Sequence, residues 1–108
     1  MDKADALNIA KAYAALVKQK FNPQRIILFG SYIKGTYHEG SDIDIAVIFS
    51  DYDDSIDMQL ELMRLRRKID SRIEPHPFKE RDFNLLNPFA AEILKYGEKV
   101  EILRSGKS

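Results

Sequence analysis

Two aspartates, Asp42 and Asp44, stand one residue apart in the apolar run "DIDIAVIF" (42–49). Residues two apart on a strand share a face, so the two carboxylates project side by side while Ile43 and Ile45 turn to the opposite, core-facing side. Unpaired carboxylates are costly to bury, and two of them side by side repel each other. A bound Mg²⁺ removes both problems, because it takes carboxylate oxygens and keeps the rest of its shell for water and phosphate. With ten residues between Ser31 and Asp42, a Gly30-Ser31 pair ends another apolar run, "RIILF" (25–29). A glycine there permits close approach of a ligand to the backbone, and Ser31 opens a turn or short helix whose N–H groups favour an anion. A phosphate cradle beside a carboxylate pair is the layout for phosphoryl or nucleotidyl transfer.

These residues need strands and turns to hold them. Apolar residues at three- and four-residue spacing (Ala6, Ile9, Ala10, Tyr13, Leu16, Val17) predict a helix over 3–20, ended by Asn22-Pro23. A strand follows at 25–29, a short helix or turn within 31–37, a loop at 38–41, and a second strand at 42–49. The pattern then predicts a helix over 56–70 and a third strand over 71–75, confined to an edge or a strand end by Pro75 and Pro77. Asn87-Pro88 is a strong helix start, with Asn as N-cap and Pro at the first helical position. That helix is expected to reach Tyr96, with Gly97 as its cap, before a last short strand at 99–103. The order gives a mixed α/β domain, an α+β arrangement of a small mixed sheet packed with helices.

The chain has 108 residues, 44% of them hydrophobic, which fits one small domain over 1–108 with a mobile tail at 104–108. Its 17 basic and 17 acidic residues cancel, so nothing in the overall charge draws it to nucleic acid or an anionic membrane. It has no cysteine, which excludes disulfides and zinc-thiolate sites. The N-terminal segment lacks the apolar stretch of a secretory signal, and no run is long enough for a membrane span. The expectation is a cytoplasmic protein.

The stretch "GSYIKGTYHEGSDIDI" (30–45) resembles the signature of the DNA polymerase beta-like nucleotidyltransferase superfamily: Gly-Ser, about ten residues, then Asp-x-Asp between apolar residues. Gly35 and the Ser41-Asp42 pair belong to the match. The short length is similar to the minimal (MNT-type) nucleotidyltransferases, which serve as antitoxin partners of HEPN-domain toxins. The resemblance implies that fold, with ATP as substrate and two Mg²⁺ ions, or Mn²⁺, as cofactor. Gly30, Ser31, Ser41, Asp42 and Asp44 would bind the nucleotide. Asp42 and Asp44 would hold metal together with a third carboxylate on a neighbouring strand. Glu74 is the first candidate, with Asp70, Glu80 and Asp82 behind it. The implied reaction moves AMP to a hydroxyl acceptor, a tyrosine of a HEPN toxin. Two rival readings are a toxin-binding antitoxin with a vestigial nucleotide site, and transfer to a small molecule. Homo- and hetero-oligomers both stay open.

Several features have plainer readings. Lys34 is either a phosphate contact or a solvated turn lysine. Tyr32 and Tyr37 either stack on a base or pack locally. Arg72 would share Glu74's face on a regular strand. The basic run at 64–68 is either a nucleic-acid patch or, more simply, the wet face of a helix, and His38 and His76 are too poor in partners for a zinc site.

Overall fold

The computed structural model describes residues 1–100, and the expected strand residues 101–103 and the tail at 104–108 lie outside them. Helix α1 spans Lys3–Phe21. Asp2 caps it in a reciprocal pair with Asp5, each side chain accepting from the other's backbone N–H at 3.0 and 3.2 Å. The helix ends where Asn22 adopts left-handed backbone geometry ahead of Pro23. Strand β1 (Arg25–Phe29) leads into a four-residue helix α2 (Ser31–Lys34), and β2 covers Ile43–Phe49. Helix α3 (Ser55–Arg66) carries the chain across to β3 (Ile73–Lys79). After a short 3₁₀ turn at Glu80–Asp82 come α4 (Pro88–Tyr96) and β4 (Glu98–Lys99).

The four strands form one sheet in the order β3-β2-β1-β4. β1 is antiparallel to both β2 and β4, whereas β2 and β3 are parallel and joined through α3. Both faces are covered. Ile26, Leu28, Ile43, Ile45 and Val47 pack under α1 and α3, against Ala10, Tyr13, Val17, Leu62 and Leu65. Ile27, Phe29, Ala46 and Ile48 pack against Phe78, Phe83 and, from α4, Ala90 and Ile93. The Asp44 side of β2 is therefore the α4 side, apolar further along the strand and polar only at its start.

Two elements differ from the sequence pattern. The helix expected over 56–70 stops at Arg66, after which Arg67, Lys68 and Ile69 donate to carbonyls three residues back, in single tightened turns. The third strand begins at Ile73 rather than 71 and runs through both prolines to Lys79. β3 is an edge strand, and its phase explains the tolerance. The Ile43 N–H donates to the Arg72 carbonyl at 2.9 Å. Residues 72, 74, 76 and 78 thus face β2, and Ile73, Pro75 and Pro77 turn their backbone to the free edge, where a missing N–H costs no ladder bond. Two outward carbonyls are taken up by α3 side chains: Arg66 donates to Ile73 O and Gln59 to Pro75 O, both at 2.9 Å.

α1 and α3 are tied together by Tyr13, whose fully buried hydroxyl donates to the Leu62 carbonyl at 2.7 Å. Burial pushes its pKa well above the ordinary value near 10. Because the unfolded chain then loses this proton at lower pH than the folded one, stability falls as pH rises above about 10. Tyr13→Phe should cost about 0.5–1.5 kcal/mol at pH 7. It should also flatten the alkaline loss, so that urea denaturation at pH 11 shows a smaller gap between variant and wild type.

Candidate active site

β1 ends, and β2 and β3 begin, at the same edge of the sheet. There Asp44 lies opposite Phe29 on β1 and opposite Glu74 on β3. Asp42 sits just before β2 and is exposed, while Asp44 and Glu74 are half-buried. Glu74, His76 and Phe78 alternate along β3 onto the same side of the sheet as Asp44, Ala46 and Ile48. Asp44 and Glu74 thus share one end and one face of the sheet, with Asp42 at the same end just before β2. Among the described residues, however, no three His, Asp or Glu side chains gather closely enough to hold an ion by themselves.

The Asp44 carboxylate is held from two sides. His76 Nε2 lies 3.2 Å from Asp44 Oδ1. On the other side stands Gly30, with φ +87° and ψ −153°, a conformation essentially reserved for glycine. A Cβ built there would overlap Asp44 Oδ2. The glycine expected to admit a phosphate thus admits the Asp44 carboxylate. Its carbonyl also receives the first turn of α2, from the N–H groups of Ile33 and Lys34 at 3.1 and 3.0 Å.

Other predicted residues are placed as follows. Ser31 is the first residue of α2, beside Gly30. Ser41 is buried, and its hydroxyl accepts from the His38 N–H at 2.8 Å, closing the loop ahead of Asp42. Arg72 does not pair with Glu74 but grips Asp70 through Nε at 2.9 Å and Nη2 at 2.6 Å, holding that carboxyl below the usual range. Asp70 is thereby engaged. Glu80 is paired with Arg25 at 3.2 Å and, with Asp82, follows the far end of β3. Of the candidate third carboxylates, Glu74 is the one in register with Asp44. Lys34 is ion-paired with Glu92 of α4 and lies over the Tyr96 ring. Tyr32 is buried and stacked on Tyr37 at 4.8 Å, so the local-packing reading of these tyrosines holds.

His76 is the site residue that sequence reasoning missed. The signal was its position two residues after Glu74, on the same strand face. Its ring meets Phe29 at 5.1 Å and Phe89 at 5.6 Å, both edge-on. Beside it the surface dips into a groove of about 440 Å³, lined by Ile56 and Leu60 of α3 and by Phe89 of α4.

The half-open sheet end thus carries a hydrogen-bonded aspartate, a second, exposed aspartate and a glycine-ended strand. The polymerase beta nucleotidyltransferase family model matches residues 11–107, and the chain belongs to that family. The protein adenylyltransferase MntA of Shewanella oneidensis is 45% identical over 51 residues, 47% of this chain and 37% of that protein. A relative from Methanocaldococcus jannaschii is 41% identical over 56 residues, 49% of this chain and 56% of that protein. These matches therefore span about a third to a half of the relatives' own length. Among solved structures, a toxin–antitoxin complex with AMP-PNP is 31% identical, with a TM-score of 0.64 over 90% of this chain and 75% of that one.

Gly30 and Asp44 compete for one volume. Gly30→Ala should lower stability by about 1–3 kcal/mol through the strained backbone, with a further cost from displacing Asp44. Asp44→Ala should recover that second part only. A double-mutant cycle by urea denaturation should show favourable coupling between the two substitutions; strict additivity would mean that the carboxylate does not occupy the space beside Gly30.

Proposed function

We propose that this chain transfers AMP from ATP to a tyrosine hydroxyl of a HEPN-domain toxin, and so acts as an antitoxin. The observation that carries the reading is the pairing of a fixed Asp44 with an exposed Asp42 at the sheet end where Glu74 lies in register. The relative MntA is named a protein adenylyltransferase. A solved complex described as a tri-AMPylated Shewanella oneidensis HEPN toxin with an MNT antitoxin is 26% identical, with a TM-score of 0.58 over 94% of this chain and 73% of that one. Both support the choice of nucleotide and acceptor.

The donor set fits a cation that arrives with the nucleotide. Mg²⁺ is commonly bound by one or two carboxylates plus substrate phosphates and water, so Asp42 and Asp44 suffice without a protein cage. Mg²⁺ or Mn²⁺, when bound, neutralises the triphosphate and stabilises the charge that develops at the α-phosphorus. Ser31, at the start of α2, and the backbone around it face the phosphates. Glu74 accepts the proton of the attacking hydroxyl. The tyrosine oxygen forms the new bond to the α-phosphorus as the bond to pyrophosphate breaks. The apolar groove beside His76 gives a partner chain a seat next to these carboxylates.

The test is intact-mass spectrometry of a HEPN-domain partner incubated with the protein, Mg²⁺ and each nucleoside triphosphate in turn. ATP should add the mass of AMP to the partner. Glu74→Gln should lower the transfer rate about 10²–10⁴-fold, as loss of a positioned base does, while ATP affinity stays close to wild type. No added mass with any of the four nucleotides would leave a toxin-binding antitoxin as the better reading. Equal transfer by both proteins would remove Glu74 from the reaction.

A further inference from the structure

We propose that His76 is a positioning residue: its Nε2–H donates to Asp44 Oδ1 and fixes the carboxylate in the orientation that receives a divalent cation. The inference rests on the nucleotidyl-transfer reading of the site and adds a residue to it.

Three observations point the same way. The Nε2–Oδ1 separation is 3.2 Å, and it is the one side-chain hydrogen bond that Asp44 makes among the described residues. The imidazole has little freedom, because Phe29 of β1 and Phe89 of α4 contact it edge-on at 5.1 and 5.6 Å. Its backbone is equally constrained. Pro75 and Pro77 flank it, each with φ locked by its ring, on a strand whose register places residue 76 two pairs further along than Asp44 and Glu74. With Oδ1 bonded to His76 and Oδ2 packed on the bare Cα of Gly30, Asp44 keeps one rotamer. Hydrogen bonds to a ligating carboxylate are a recurrent way of orienting it, and losing one costs about 10–100-fold in metal affinity or activity. The proline pair thus does not end the strand but stiffens it on both sides of a hydrogen-bond donor to the aspartate.

Two substitutions separate the hydrogen bond from the packing. His76→Phe keeps the aromatic contacts and removes the donor. His76→Gln offers an amide N–H at a similar reach. Affinity for Mn²⁺ carried by a non-hydrolysable ATP analogue, read by electron paramagnetic resonance on protein without partner, should fall about 10–100-fold in His76→Phe. It should stay within about threefold of wild type in His76→Gln, with both variants melting near wild type. Unchanged affinity in His76→Phe, or an equal loss in both, overturns the assignment. Long-range ¹H–¹⁵N NMR of the metal-free protein reads the bond independently: the imidazole should carry its proton on Nε2 and shift in Asp44→Ala. A neutral ring protonated on Nδ1 overturns it as well. If wild type takes up no Mn²⁺ with the nucleotide analogue, the metal-site reading fails on its own, and the tautomer still decides whether His76 holds Asp44.

Discussion

Everything at the sheet end depends on the space that Gly30 leaves empty. β1 and β2 are antiparallel with Phe29 opposite Asp44, so the residue after Phe29 must pass directly beside the Asp44 side chain. Any Cβ at that point would overlap the carboxylate, and the backbone there is in a region that side chains disfavour. Glycine meets both demands. Its carbonyl then nucleates α2, so one residue ends a strand, starts a helix and makes room for the acid. A carboxylate could not sit on this strand deeper in, because the same face becomes apolar at Ala46 and Ile48 and is closed by α4. Position 44 is where the sheet is still open enough to keep a carboxylate half-solvated.

The edge strand supplies the rest. Because β2 and β3 are parallel and in register, residues 74 and 76 arrive beside Asp44 from the neighbouring strand. An edge position tolerates prolines only where their nitrogens face outward, and the phase of β3 meets that condition at both 75 and 77. The outward carbonyls of Ile73 and Pro75 are satisfied by Arg66 and Gln59, which also cover part of an otherwise open edge. α3 therefore serves two purposes. Its apolar side, through Leu62 and Leu65, fills the core under the sheet, and its polar side chains fix the strand that carries Glu74 and His76.

The sequence made much of this legible, where a local rule was strong. Asn87-Pro88 set the start of α4, and the apolar run 25–29 matched β1 residue for residue. The spacing of Gly30-Ser31 and Asp42-x-Asp44 singled out the sheet end where β1 stops and β2 starts, since few structural needs place two acids at the start of a core strand. What was not legible depended on tertiary phase. Pro75 and Pro77 left an edge strand and a strand end both open, because nothing local says which backbone side faces the partner strand. His76 looked idle because its partner lies 32 residues away on another strand. Gly97 was expected as a cap and does bond to Ile93 O at 2.7 Å, but in extended backbone; glycine is required there because a Cβ would lie 2.5 Å from Ile27 and from that carbonyl. In each case the deciding neighbour was distant in sequence.

The central claim is that Asp42 and Asp44 together receive the nucleotide with its cation. Titration calorimetry of Mg·ATP into wild type and into Asp42→Asn with Asp44→Asn tests it most directly, with chelator-treated protein as the control for metal dependence. Saturable binding by wild type is predicted to require Mg²⁺ and to vanish in the double variant. The variant should melt at or above the wild-type temperature, because two like charges have been removed. Unchanged Mg·ATP affinity in a folded double variant would contradict the account.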